Sequence, residues 1–170
     1  MNQIVGAQAP GIRGLLASPN GEHSDFDIKS ETAKWSAFLF FPAAFSKLCL
    51  SEMWQFNEQA ENFAKINCRL IGVSTVEAST LKKWITTPKE EGGVLGITFP
   101  LLSDSEGFIA KSIGALDHEK NLALRAFMIV DEKGIVQHLL INNLNQGRNA
   151  REALRTCLLY TSDAADDRMR

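Results

Sequence analysis

The stretch Phe38-Leu-Phe-Phe-Pro42-Ala-Ala-Phe-Ser46-Lys-Leu-Cys49-Leu-Ser-Glu52 changes its period partway along, and that change decides the fold. Phe38 to Phe41 is an unbroken apolar run, the pattern of a strand buried on both faces. Pro42 ends it, because proline has no N–H to give to a ladder. From about Ser46 the spacing becomes helical: Leu50, Met53, Trp54, Asn57 and Ala60 spread over neighbouring turns, with Glu58 and Glu61 left for water. Cys49 therefore falls in the first turn of a helix. Unpaired backbone N–H groups there carry a positive partial charge that favours a thiolate over a thiol. Ser46, three residues earlier, is placed either to give its hydroxyl to that sulfur or to an oxygen ligand, or simply to cap the helix. On position alone, Cys49 reads equally well as a reactive thiol and as a small buried apolar side chain.

Working outward, the helix runs from Ser46 to about Ala64, and Cys68 to Ser74 reads as a neighbouring parallel strand joined through it, with Cys68 structural. Upstream, Trp35 to Phe41 extends the central strand, and Ile12 to Ala17, Ser18-Pro-Asn-Gly21 and a short strand around Phe26 and Ile28 make an edge hairpin. Downstream, Glu77 to Thr86 is a helix with Leu81, Trp84 and Ile85 inward, ending before Pro88. Phe99 to Leu102 is a short strand, and Ser103-Asp104-Ser105-Glu106 opens a helix with an acidic first turn. Leu116 to Asn121 reads as polar loop, and Ile135 to Ile141 as an edge strand. In between, Leu124 to Val130 is a buried strand with one misfit, Arg125. A buried guanidinium without a partner costs several kcal/mol; Asp104 and Glu52 are candidate partners. The class is α/β, a central mixed sheet flanked by helices with an N-terminal β-hairpin.

Bulk properties exclude several functions. The chain has 170 residues, 45% apolar and 22% charged, enough for one well-buried core. A net charge of -2 and a pI near 5.9 give no general attraction to nucleic acid or anionic membrane. The N-terminus shows neither a signal-peptide pattern nor an apolar run long enough to span a bilayer, so the expected location is cytoplasmic. The loop Lys89-Glu-Glu-Gly-Gly-Val-Leu-Gly96 lacks the strand-to-helix context of a phosphate-binding loop. His23, His118 and His138 have no metal-ligand spacing.

Pro42-x-x-x-Ser46-x-x-Cys49 resembles the active-site motif of the peroxiredoxins, Pro-x-x-x-Thr/Ser-x-x-Cys. The resemblance is collinear over roughly residues 3 to 156. Trp84, Phe99-Pro-Leu-Leu-Ser-Asp104, Leu124-Arg125-Ala-Phe-Met-Ile-Val-Asp131 and Gly147-Arg148 fall in the order and spacing of the alkyl hydroperoxide reductase and thiol-specific antioxidant group. It implies a thioredoxin-like fold and a thiol peroxidase that needs no cofactor or metal. Cys49 would attack peroxide and become sulfenic acid, and Ser46 would hold the oxygens. Arg125 would stabilise thiolate and leaving oxygen, and Pro42 would shape and shield the pocket. Glu52 would orient an arginine. Arg148 would support the site from behind, or stand as a first-turn surface arginine. The implied partners are a peroxide, a thioredoxin-like or flavin-linked disulfide reductase, and a second copy in a homodimer or higher oligomer paired through the edge strand.

Three departures matter. Leu50 replaces the proline that usually follows the cysteine and fixes its first turn, so that turn is expected to be looser. Ser46 replaces the usual threonine, and Val94 interrupts the Gly-Gly-Leu-Gly pattern of members that over-oxidise easily. A degenerate member that senses peroxide or binds a partner with little turnover is the alternative function. A thioredoxin-type disulfide exchanger is disfavoured, because there is no Cys-x-x-Cys. Finally, Cys157-Leu-Leu-Tyr-Thr-Ser-Asp-Ala-Ala-Asp166 can be back-translated into codons that resemble a transposon-end sequencing adapter read in frame. Residues 1–156 are thus expected to be the domain and 157–170 a non-native tail, with the resolving cysteine cut off.

Overall fold

The computed structural model describes residues 2–161. In chain order the elements are β1 (Arg13–Ala17), β2 (His23–Asp27), β3 (Trp35–Phe40), α1 (Lys47–Glu58), α2 (Ala60–Lys65), β4 (Cys68–Ser74), α3 (Ala78–Ile85) and β5 (Leu101–Ser103). There follow α4 (Phe108–Ser112), β6 (Leu116–Asp117), β7 (Leu122–Ala123), β8 (Arg125–Asp131), β9 (Val136–Asn142) and α5 (Ala150–Thr161). Seven strands form one mixed sheet in the order β2-β1-β5-β4-β3-β8-β9. The central β3 runs parallel to β4 and antiparallel to β8, with Phe38 opposite Ile71 on one side and Met128 on the other. Together with its helical layers the sheet is the α/β arrangement read from the residues and the thioredoxin-like architecture that the resemblance implies.

The period of two along β3 builds both halves of the core. Ala37 and Leu39, with Phe41 just beyond the strand, join a cluster with Met53, Phe56, Phe63, Leu81, Trp84 and Phe127 beneath α1, α2, α3 and α5. Phe38 and Phe40 point the other way, into a cluster with Ile12, Phe26, Ile71, Leu102, Ile109 and Met128. Burying an aromatic side chain of this size is worth roughly 1.5–3 kcal/mol, so this one strand anchors both layers. The hairpin β1/β2 occupies one edge of the sheet, closed by Gly21 N–H donating to the Ser18 carbonyl at 2.8 Å. Gly21 has φ of 85°, which an L side chain rarely adopts. β9 occupies the other edge, paired with β8 and hydrogen-bonded at its first residue, Val136, to Gly6 and Ala7 of the N-terminal segment.

Three elements differ from the sequence reading. The single helix expected from Ser46 to Ala64 is broken at Gln59, whose N–H bonds back to Phe56 O and whose carbonyl restarts the winding for Asn62 and Phe63. The break carries Phe63 into the core beside Phe56, ring centroids 6.5 Å apart. Residues 116–121, expected as loop, begin the small hairpin β6/β7, whose two-residue strands are too short to show a period. α4 starts later than expected, after Gly107. Its acidic residue lies before the helix, where the Asp104 carboxylate accepts from the N–H groups of Ile109 and Ala110.

Among the described residues, no helix is long and apolar enough to cross a membrane. α5 runs through the boundary at residue 157 without a break, and Cys157 is buried there. Hydrogen bonding to Cys68, burial and the charge of that neighbour push the Cys157 thiol up. The remainder of the expected tail, 162–170, lies outside the described residues.

Candidate active site

At the carboxyl end of β3 the chain leaves the sheet through a buried Pro42 and turns at Phe45, which has φ of 63°. It then enters α1 with Ser46 as N-cap. The Ser46 Oγ accepts from the Cys49 N–H at 3.3 Å, so the hydroxyl does serve as a helix cap. Its own hydrogen remains free to donate toward a ligand. Leu50 N–H donates to the Ser46 carbonyl at 2.9 Å. The first turn is thus closed by a hydrogen bond that a proline at this position would lack.

Cys49 has no exposed surface. Its sulfur accepts a hydrogen bond from Arg125 Nη1 at 3.3 Å. The same nitrogen donates to Glu52 Oε1 at 2.6 Å, and Arg125 Nε donates to the Leu144 carbonyl at 2.6 Å. Glu52 sits one turn along α1 from Leu48 and faces both arginines. Arg148 grips it with Nε and Nη2, each at 2.9 Å, and its main-chain N–H adds a bond of 2.7 Å to Oε2. A further Arg148 nitrogen donates to the Ala126 carbonyl. The side chains of Glu52, Arg125 and Arg148 are only 3%, 4% and 1% exposed, which rules out the surface-arginine reading of Arg148. Of the two partners considered for Arg125, Glu52 is the one bonded.

Burial by itself would raise the Glu52 carboxyl. Hydrogen bonding and charge from Arg148, with the charge of Arg125, hold it below the usual carboxylate range. Two buried guanidinium groups then face one carboxylate. The enclosed cluster carries one positive charge in excess, which an anion at the Cys49 sulfur or beside it neutralises. That arrangement suits a reaction in which negative charge moves from a thiolate to a leaving oxygen.

The sequence reading had named Cys49, Ser46, Pro42, Glu52, Arg125 and Arg148, and they lie in one neighbourhood. It missed the main-chain groups that hold the arginines, the carbonyls of Leu144 and Ala126, because backbone atoms leave no mark in residue identity. It also missed the reason for Gly147: a Cβ there would sit 3.2 Å from Leu48 Cδ1 and 3.9 Å from Glu52 Oε2. Trp84 is fully buried; its indole N–H donates to the Gly92 carbonyl at 2.9 Å, and its ring lies against Phe41 and Phe45. Among the described residues, no group of three or more His, Cys, Asp or Glu side chains is set to hold a metal ion.

Residues 5–139 match the AhpC/TSA family model. The chain is similar to peroxiredoxin-1 of Gallus gallus, 36% identical over 152 residues that cover 89% of this chain and 76% of that protein. Among solved structures it is similar to reduced Plasmodium vivax 2-Cys peroxiredoxin, with a TM-score of 0.86 and 32% identity, covering 91% of this chain and 80% of that one. It is also similar to Enterococcus faecalis AhpC, with a TM-score of 0.87 and 28% identity, covering 97% and 96% of the two chains.

Proposed function

The chain belongs to the AhpC/TSA family and is a peroxiredoxin, a thiol-dependent peroxidase, and from that premise we propose that Cys49 is its peroxidatic thiol. The observation that carries the assignment is the bond from Arg125 Nη1 to Cys49 Sγ inside a buried cluster whose excess positive charge matches one anion. The Cys49 thiolate attacks the terminal oxygen of a hydroperoxide. The S–O bond forms as the O–O bond breaks, the sulfur loses two electrons, and the leaving oxygen takes a proton to depart as water or alcohol. Arg125 balances the charge as it passes from sulfur to oxygen, and the Ser46 hydroxyl donates to the bound peroxide. Glu52 and Arg148 keep the guanidinium of Arg125 in place, and Pro42 shields the sulfur from bulk water.

Because Cys49 is fully covered, peroxide enters as the turn at Phe45, which is itself 39% exposed, moves aside. The sulfenic acid condenses with a resolving thiol from a second chain, releasing water, and a thioredoxin-like or flavin-linked reductase regenerates both thiols. A homodimer paired along β9 fits the exposure of Leu140 and Ile141 on that edge strand. The free thiols at Cys49 and Cys68 suit a reducing compartment such as the cytoplasm. Residues 1–156 constitute the peroxidase domain and 157–170 a non-native tail; long native reads of the source DNA that contain those codons would sink that division.

Stopped-flow mixing of reduced protein with hydrogen peroxide tests the assignment. Stoichiometric sulfenic acid at Cys49, absent in Cys49→Ser, is the expected result; oxidation no faster than that of a free thiol defeats it. A protein that oxidises but fails to turn over with resolving thiol and reductant present is a sensor rather than a peroxidase.

A further inference from the structure

Resting on the assignment of Cys49 as the reacting thiol, the geometry points to the exposed turn Asn143–Gln146, and to Asn143 in particular, as a positioning element for the Arg125 guanidinium. A guanidinium is a rigid plane, and two anchored nitrogens fix its orientation. Nη1 is held by Glu52 and the Cys49 sulfur. The second anchor is the bond of 2.6 Å from Nε to the Leu144 carbonyl. Without it the plane is free to swing about Nη1, and Nη2 loses its fixed direction.

The Leu144 carbonyl is aimed by the turn it belongs to. The Asn143 carbonyl accepts from Gln146 N–H at 3.0 Å, closing the turn, and the Asn143 Oδ1 accepts from Leu144 N–H at 2.8 Å. Side-chain bonds from asparagine to nearby backbone are a common way of locking a turn. The turn lies where β9 ends and just before Gly147 and Arg148, and the Arg148 N–H donates to Glu52 Oε2 on α1. One short strap therefore contacts both ends of the charged cluster. Asn143 is solvent-exposed, and its side-chain oxygen bonds to the main chain of Leu144, so an ordinary surface reading assigns it no effect on chemistry.

Asn143→Ala separates the two readings, with Asn143→Asp as the variant that keeps a side-chain oxygen. Each is measured in three ways: oxidation of Cys49 by hydrogen peroxide, alkylation of Cys49 by iodoacetamide, and the NMR signal of the Arg125 Nε–H, assigned by its loss in Arg125→Lys. In Asn143→Ala the peroxide rate constant falls about fivefold, alkylation stays within about twofold, and the Nε–H exchanges faster with water. Asn143→Asp restores both. An unchanged peroxide rate, a parallel fall in peroxide and alkylation rates, or an unaltered Nε–H signal overturns the proposal. If wild-type Cys49 reacts no faster than a free thiol, the peroxidase assignment fails instead, and the Nε–H signal still decides the role of the turn.

Discussion

Arg125 Nη1 lies 3.3 Å from the Cys49 sulfur although the two residues are 76 positions apart in the chain. The pairing of β3 with β8 makes this possible, since it brings Leu39 opposite Phe127 and so sets the start of β8 beside the exit of β3. Lysine at position 125 would keep a positive charge but lose the fork that reaches sulfur, Glu52 and Leu144 together. Arg125→Lys is expected to slow peroxide oxidation of Cys49 by roughly a hundredfold, the scale of losing one preorganised donor to a developing anion. Single-turnover stopped-flow measures it, and a rate within a few-fold of wild type would show that charge alone suffices.

Glu52 ties the same site to acid stability. Its carboxyl is depressed in the folded state despite its burial, by Arg148 first and Arg125 next. A depressed carboxyl contributes stability that is present in full above its unfolded value, near 4.5, and is lost as pH falls through the folded value. Glu52→Gln leaves two buried guanidiniums without their counter-ion, which costs about 3–5 kcal/mol near neutral pH. Urea unfolding at a series of pH values should show the gap between variant and wild type narrowing below the unfolded value. A gap that stays constant down to pH 3 contradicts the linkage.

Where the sequence spoke clearly, one residue type left few options. The run Trp35 to Phe41 with Pro42 behind it had to be a buried strand with a hard stop, and β3 runs from Trp35 to Phe40. Arg125 stood out because a charge inside an apolar run demands a partner. By contrast, the break at Gln59 depends on how Phe56 and Phe63 both reach the core, a tertiary demand with no local sign. β6 and β7 were too short to have a period. The complete burial of Cys49 and the grip on Arg125 of Leu144, 19 positions further along the chain, are tertiary outcomes that no spacing rule foretells.

The loop after α3 has a steric constraint that can be tested by one methyl group. A Cβ on Gly93 would lie 2.0 Å from the Thr87 carbonyl oxygen, while one on Gly11 would meet nothing within 4 Å. The loop is held against Trp84 on both sides, by the indole bond to Gly92 O and by Val94 N–H donating to Trp84 O at 3.0 Å. Trp84 in turn supports Phe45 in the turn before Ser46. Gly93→Ala should therefore cost about 1–3 kcal/mol or more through forced backbone movement, and Gly11→Ala no more than about 0.5. Thermal melts of the two variants decide it; equal melting temperatures would mean the loop shifts freely.

Leu50 is the residue at which this chain departs most directly from the family motif, and its effect is expected on opening rather than on chemistry. Its N–H closes the first turn of α1 onto the Ser46 carbonyl, and Cys49, the residue before it, has no exposed surface. With the sulfur fully covered, peroxide itself needs the turn at Phe45 to move aside, and a bulkier reagent is expected to need the first turn of α1 to unwind as well. Leu50→Pro removes the hydrogen bond, and its ring crowds the same carbonyl. Losing one such bond favours the open turn by about fivefold. Alkylation of Cys49 by iodoacetamide should accelerate to a similar degree, whereas the bond from Arg125 to the sulfur survives in the closed state and keeps peroxide oxidation near its wild-type rate. Slower alkylation in Leu50→Pro would mean that proline stiffens the turn and that Leu50 is the looser residue.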